Sequence, residues 1–158
     1  MSRRRYQGRL NEGVSHLIEH DRTGRIESLV AGAAAGRAVV LDEPLSLWGG
    51  LDPATGVIID AHHPQNGVHV GETILVMPSG RGSSSSSSVL VEAVRRGTNP
   101  LALLLFEADD ILILAAIVAK VLYGVVVPVG LLDPEGSVSV RTGDLVEIND
   151  SHIKVTGG

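Results

Sequence analysis

The run Pro78-Ser79-Gly80-Arg81-Gly82-Ser83, continued by serines to Ser88, constrains the fold of this chain more than any other segment. Apolar, strand-like residues precede it (Ile74-Leu75-Val76-Met77), and a helix-like stretch follows it (Val89-Leu90-Val91-Glu92-Ala93-Val94). Gly80 and Gly82 permit a tight strand-to-helix turn and the close approach of a ligand to backbone. The residues after them then sit at a helix N-terminus, where free N–H groups and the positive end of the dipole attract anions. Arg81 adds a fixed cation, and Ser83 places a hydroxyl where an anion would dock. The plain alternatives are a Gly/Ser linker between two domains or a serine-rich helix start with no ligand. Linkers usually have polar flanks, whereas core-like segments bracket this run on both sides.

The chain has 158 residues, enough for one domain with a real core. Hydrophobic residues make up 44% but aromatic residues only 3%, so the core has to be Val, Leu, Ile and Ala packed around many glycines. The net charge of −5 argues against a nucleic-acid partner. There is no cysteine. That excludes disulfides, and it excludes this chain as the thiolate ligand of an iron–sulfur cluster or a zinc site. Arg3, Arg4 and Arg5 make the N-terminus basic, but no apolar run follows them as in a signal peptide. The most apolar region, Leu101 to Leu132, is broken by Glu107, Asp109, Asp110, Lys120, Gly124 and Pro128. No apolar run reaches the roughly 18–20 residues of a membrane helix. The expectation is a soluble, cytoplasmic protein without a membrane partner.

Along the chain, residues 1–30 are read as an N-terminal extension and residues 31–158 as the domain. Val14, Leu17 and Ile18 allow a short helix in the extension, and Arg25 to Val30 a short strand. Ala31 to Arg37 reads as a turn before a strand from Ala38 to Leu41. Pro44 to Asp52 reads as a strand ending in a shaped loop at Trp48-Gly49-Gly50, and Gly56 to Asp60 as a short strand. Val68 to Met77 leads as a strand into the glycine–serine turn. Leu90, Val91 and Val94 follow the helical period, which predicts a helix over Val89 to Arg96 with Gly97 as its stop. Pro100 to Phe106 reads as a buried strand, and Asp109 or Asp110 as the cap of a helix from Ile111 to about Tyr123. Strands follow at Val125 to Val129, Ser137 to Val140, Asp144 to Ile148 and Ile153 to Val155. Strands outnumber helices, and two strand–helix–strand units occupy the middle. The expected fold is α/β: a β/β/α domain with mixed sheets.

The chemistry-bearing residues are few. His62 and His63 are adjacent, and in an extended segment they would not point both rings at one metal. We read them as loop histidines, with one available as a loop anchor or partner contact. No carboxylate–histidine spacing suggests a metal site, so none is assigned. Gly80-Arg81-Gly82-Ser83 is not a phosphate-binding Walker loop, because the spacing differs and no Lys-Ser/Thr follows. Nor is it a nucleophile elbow, which needs Gly-x-Ser-x-Gly. Asp109 and Asp110 read as a helix cap and a solvated carboxylate rather than an acid/base pair.

Three stretches together carry a resemblance. They are Pro44-Leu45-Ser46-Leu47-Trp48-Gly49-Gly50-Leu51-Asp52-Pro53 through Ile59-Asp60 and His63-Pro64; Pro78 to Ser88; and Asp109 to Pro128. From roughly Gly32 to Val155 the chain resembles the small subunit, or swivel domain, of the aconitase X family. The resemblance implies the swivelling β/β/α fold of the aconitase swivel. It also implies a large catalytic partner subunit that carries an iron–sulfur cluster or iron, with no cofactor in this chain. Family members dehydrate small hydroxy acids, either mevalonate 5-phosphate or cis-3-hydroxy-L-proline. In that pattern the serine after Gly-Arg-Gly is the catalytic base, which falls on Ser83. Arg81, Gly82 and Ser84 are then expected to bind substrate, and Trp48, Gly49, Gly50 and His63 to form a loop or partner interface, the alternative for Trp48 being a plain core residue. This run departs from the family pattern at Ser86, where the family often has Gly, and at Ser88, where it often has an aromatic residue.

The residues allow a second class of function on the same fold, a non-enzymatic anion-binding or phosphohistidine-type module. A hydro-lyase subunit would copurify with a cysteine-bearing partner. A module of the second kind would behave as a stable single chain.

Overall fold

The computed structural model describes residues 20–136 and 138–158. The triple arginine and the short helix expected around Val14, Leu17 and Ile18 lie outside the described residues.

In chain order the first strands are β1 (Asp21–Arg25), β2 (Glu27–Val30) and β3 (Ala33–Val40). A small hairpin, β4 (Leu51–Asp52) and β5 (Val57–Ile58), follows. Then come β6 (Ile74–Met77), α1 (Ser86–Arg96), β7 (Ala102–Leu105), α2 (Asp110–Tyr123) and β8 (Val129–Leu131). The chain closes with β9 (Leu145–Asn149) and β10 (His152–Thr156). Eight strands form one sheet in the order β1-β10-β9-β3-β6-β7-β8-β2. Its two edge strands, β1 and β2, are separated by Ile26 alone. Consecutive Cα atoms are about 3.8 Å apart, so the two edges have to meet and the sheet curls on itself.

β3 belongs to both halves of that curl. Ala33 to Arg37 pair antiparallel with β9, and Ala38 to Val40 pair parallel with β6. β6, β7 and β8 continue the parallel set. One core fills the inside of the curl, with Ile74, Val76, Ala102, Leu104, Val146, Ile148, Ile153 and Val155. The opposite faces of β6 and β7, carrying Leu75, Met77, Leu103 and Leu105, pack under α1 and α2. Strands buried on both faces read as unbroken apolar runs, which is why Ile74–Met77 and Ala102–Leu105 show no alternation in sequence.

Both helices end as their sequences require. Gly97 closes α1 in the left-handed region at φ 74°, and its N–H reaches Ala93 O and Val94 O. Gly124 does the same for α2 at φ 68°. On the solvent side of α1, Glu92 accepts hydrogen bonds from Arg95 and Arg96. These two guanidiniums hold its carboxyl at about 2, below the ordinary 4.5. α2 differs: Leu114, Ile117, Val121 and Leu122 on its outer face are exposed.

The structure departs from the sequence reading in several places. Residues 21–30, expected in an extension ahead of the domain, form β1 and β2, which pair with β10 and β8. Ala31 to Arg37 was expected to turn, yet Ala33–Val40 is the longest strand. Its small residues are needed by their neighbours, since a Cβ on Gly36 would lie 2.9 Å from Leu101 Cδ1. Tertiary packing overrides the low strand propensity of Ala and Gly there. Between Pro44 and Asp52 only Leu45, bridged to Gly80, and the β4 pair join a ladder. The expected strand from Val68 shortens to Ile74–Met77. The strand expected over Val125 to Val129 begins only at Val129, because Pro128 has no N–H to give a ladder. Residues 138–140 are not strand, and Ser137 lies outside the described residues.

Candidate functional site

The parallel strands β3, β6 and β7 bring three loops to one edge of the sheet. In parallel α/β sheets ligands bind beyond the carboxyl ends of the strands. Here that edge holds the loop from Leu41 to Gly50, the turn from Pro78 to Ser85, and the short link from Phe106 to Asp109. The last two are tied directly, because Phe106 N and Glu107 N both donate to Pro78 O. The first two meet at the Leu45–Gly80 bridge.

The glycines have separate reasons to be glycine. Gly82 has φ 94°, and a Cβ there would lie 2.8 Å from Ser46 Oγ. A Cβ on Gly80 would fall against Asp109 Oδ2. Between them the side chain of Arg81 is exposed and makes no ion pair among the described residues. Gly80, Arg81, Gly82, Ser83, Ser86 and Asp109 line one shallow recess over Leu45, Leu47 and Leu112.

Ser83 is exposed and lies before the helix rather than on it. The helix begins at Ser86, three residues earlier than the sequence period predicts. The amides of Ser86, Ser87 and Ser88 are occupied by Ser83 O, Ser84 O and Ser85 O. These amides therefore are not the free anion cradle expected from the sequence. The Ser83 hydroxyl accepts a hydrogen bond from Ser85 N at 3.1 Å. Ser84 is exposed but outside the recess.

Trp48 is not a core residue: its side chain is 58% exposed. Its backbone is clamped on both sides. Ser46 Oγ donates to Trp48 O, and Trp48 N donates to Ser86 Oγ, each at 3.2 Å. Ser86 is 5% exposed, so its hydroxyl couples the start of α1 to the tryptophan loop from within. The sequence reading gave Ser46 and Ser86 no role, and no local pattern marks them. Gly49 and Gly50 complete the turn: Gly49 has φ 74° with open space around it, while Gly50 is buried against Ser46 O.

His63 is buried away from the recess. Its Nδ1 accepts from Gln65 N at 3.1 Å, so Nε2 carries the hydrogen and donates to Glu43 O at 3.2 Å. It thereby ties the 60–66 loop to the segment that leads into Leu45. Among the described residues no three His, Asp or Glu side chains gather as a metal site. No helix among them is long and apolar enough to cross a membrane.

Residues 23–156 match the family model of the aconitase X swivel domain. The chain belongs to this family. It is 47% identical over 105 residues to cis-3-hydroxy-L-proline dehydratase of Pseudomonas aeruginosa, a match covering 66% of this chain but only 18% of that enzyme. It is 33% identical over 121 residues to the phosphomevalonate dehydratase small subunit of Thermococcus sibiricus, covering 77% of this chain and 87% of that subunit. Among solved structures it is similar to a chain of Thermococcus kodakaraensis aconitase X in its holo-form. There the TM-score is 0.72 and the identity 28%, over 84% of this chain and 98% of the other. The curled mixed sheet with two helices is thus the aconitase X swivel fold. The swivel fold occurs as a separate small subunit in one set of relatives and as under a fifth of a longer chain in another.

Proposed function

We propose that this chain is the swivel-bearing small part of an aconitase X-type hydro-lyase that dehydrates a small hydroxy acid. In this reading Ser83 is the base and Arg81 holds the substrate's anionic group. The observation that carries it is the placement of Gly80-Arg81-Gly82-Ser83 at the carboxyl edge of the parallel strands, in a chain that matches 87% of the length of a phosphomevalonate dehydratase small subunit.

Loss of water from a β-hydroxy acid needs two events. The Cα–H bond breaks and its proton goes to Ser83 Oγ in its alkoxide form; as the C–H electron pair forms the C=C bond, the Cβ–O bond breaks and the oxygen leaves with its pair as hydroxide. A Lewis acid for that hydroxide would be iron held by the large partner. With no cysteine and no gathered metal ligands among its described residues, this chain suits the base half of such a site.

A serine hydroxyl is a weak base unless its anion is stabilised. The nearby helix start contributes about 0.3–1 kcal/mol at an exposed position. At ~1.36 kcal/mol per pKa unit that is less than one unit. The single amide on Ser83 Oγ adds little while water competes for the same oxygen. Partner groups and exclusion of water therefore supply the rest, and the chain by itself should be inactive. The test is coexpression with the large aconitase X chain of the same genome, followed by assay of each part and of the complex on cis-3-hydroxy-L-proline and on mevalonate 5-phosphate. Dehydration by the complex alone supports the reading. Iron or dehydratase activity in the rigorously purified single chain overturns it.

Arg81 carries its own expectation. Arg81→Lys keeps the charge but loses the planar fork, so KM rises more than turnover falls. An unchanged KM in Arg81→Ala removes Arg81 from the substrate site. Trp48, rigid in backbone and exposed in side chain, belongs in this reading to the surface covered by the partner. Because the chain has one tryptophan, a tryptophan-free partner gives a clean signal. The emission of Trp48 should shift to the blue on mixing. No shift, with complex formation shown independently, takes Trp48 out of the interface.

A further inference from the structure

Ser86 joins two parts of the site that lie 38 positions apart in sequence. It is buried, lines the recess with Arg81 and Ser83, and its Oγ accepts from Trp48 N at 3.2 Å. The serines after it behave otherwise. Ser87 and Ser88 turn their hydroxyls back on the helix start, donating to Ser84 O at 2.8 Å and to Ser85 O at 2.7 Å. That is the usual local bond of a serine in a helix. Ser86 instead sends its hydroxyl out to the tryptophan loop. From the backbone of Trp48 two ties then run to Ser83. On one side Ser86, which holds Trp48 N, donates its own N–H to Ser83 O at 3.0 Å. On the other, Ser46 Oγ donates to Trp48 O, and the same Oγ would lie 2.8 Å from a Cβ on Gly82, the residue before Ser83. Ser83 is thus bracketed by two serines that grip the same tryptophan, whose indole is exposed.

We propose that Ser86, with Ser46, is a positioning residue for Ser83: through the Trp48 backbone it sets the base in register with the surface that meets the partner. This rests on the dehydratase reading above and deepens it. A base has to stand within hydrogen-bond reach of the proton it removes, and a misplacement of about 1 Å costs up to about 10²-fold in rate. The backbone bond from Ser86 N to Ser83 O shapes the turn but does not fix where the turn sits. The hydroxyl of Ser86 does, because it ties the turn to a loop on a different strand connection. Arg81 shares that turn, but it reaches an anion on a long, jointed side chain and tolerates a small shift. Ser83 Oγ stands one bond from its Cβ and does not. Loss of the tie therefore falls on turnover before it falls on substrate binding.

The test is Ser86→Ala in the assembled complex, assayed on whichever of the two hydroxy acids the wild-type complex dehydrates. Alanine suits a helix start and keeps the bond from its N–H to Ser83 O. For this variant kcat should fall by about ten- to a hundredfold, with a much smaller change in KM. Ser88→Ala, which also removes one hydroxyl and one hydrogen bond from α1, should leave kcat unchanged. The decisive measurement is the double variant with Ser83→Ala. A residue that acts through the base has nothing left to position once the base is gone, so the two losses should not multiply. A purely structural loss multiplies. Ser46→Ala, which cuts the other tie, should repeat the result if the Ser86 variant assembles poorly. Unchanged kcat in both single variants, a rise in KM alone, or losses that multiply with that of Ser83→Ala each overturn the positioning role while the dehydratase reading stands. No dehydration by the wild-type complex overturns the dehydratase reading, and the positioning role with it.

Discussion

Ser83→Ala should lower turnover of the assembled enzyme by about 10²–10⁴-fold, the usual loss of an essential base, while the complex still forms. The structure makes this a clean substitution. Ser83 is exposed, and its hydroxyl makes one contact, accepting from Ser85 N. The bond that starts the turn into α1 runs from Ser86 N to Ser83 O, a backbone atom that alanine keeps. Losing the side-chain contact costs about 0.5–1.5 kcal/mol, or only a few degrees of melting temperature at roughly 2–4 °C per kcal/mol in a domain this size. Activity and stability should therefore separate. Ser85→Ala is the control. Ser85 sits at the cap of α1 but makes no side-chain capping bond, so its loss should be mild in both respects. Retention of more than about a tenth of wild-type turnover in Ser83→Ala would remove Ser83 from the role of base.

Gly50→Ala should be the more damaging substitution for folding. A Cβ at Gly50 would fall on the carbonyl oxygen of Ser46, which is backbone, with Leu45 Cδ1 at 3.0 Å on its other side. Neither can give way without opening the turn that Gly50 N and Leu51 N make to Leu47 O. Strain and overpacking of this kind cost about 2–3 kcal/mol, a fall of roughly 4–12 °C. Gly49 sits beside it with φ 74° and open space around it. Gly49→Ala should cost only the left-handed backbone, about 1–2 kcal/mol. Thermal melts of the two variants distinguish a steric requirement from a conformational one. Equal losses would mean that Ser46 O does not lie where Gly50 needs it. Because Ser46 also holds Trp48 O and abuts Gly82, Gly50→Ala should disturb the recess as well as the loop.

Local signals in the chain were strong where backbone chemistry is strong. Gly97 and Gly124 stop helices because a left-handed residue is needed there, and Asp109 starts one because its oxygen meets two free amides. The unbroken apolar runs of β6 and β7 announced strands buried on both faces. The glycine–serine turn announced itself by its glycines and by its position between a strand and a helix. Signals failed where packing outweighed propensity. Nothing in Ala33-Ala34-Ala35-Gly36 favours a strand, and only pairing with β9 and the closeness of Leu101 make it one.

The sequence by itself determined the class of domain, the family resemblance and the turn that carries Arg81 and Ser83, because each is written in contiguous residues whose conformational limits are local. The tertiary structure alone decided what those residues meet. It curled the sheet by joining β1 to β2 through Ile26, and it spent the first amides of α1 on serine carbonyls rather than leaving them for a ligand. It brought Asp109 against Gly80, and it fixed the backbone of Trp48 between Ser46 and Ser86. Those contacts join residues up to about forty positions apart, as Trp48 and Ser86 are. No local propensity encodes such a meeting; it arises when parallel strands place successive loops side by side at one edge of the sheet.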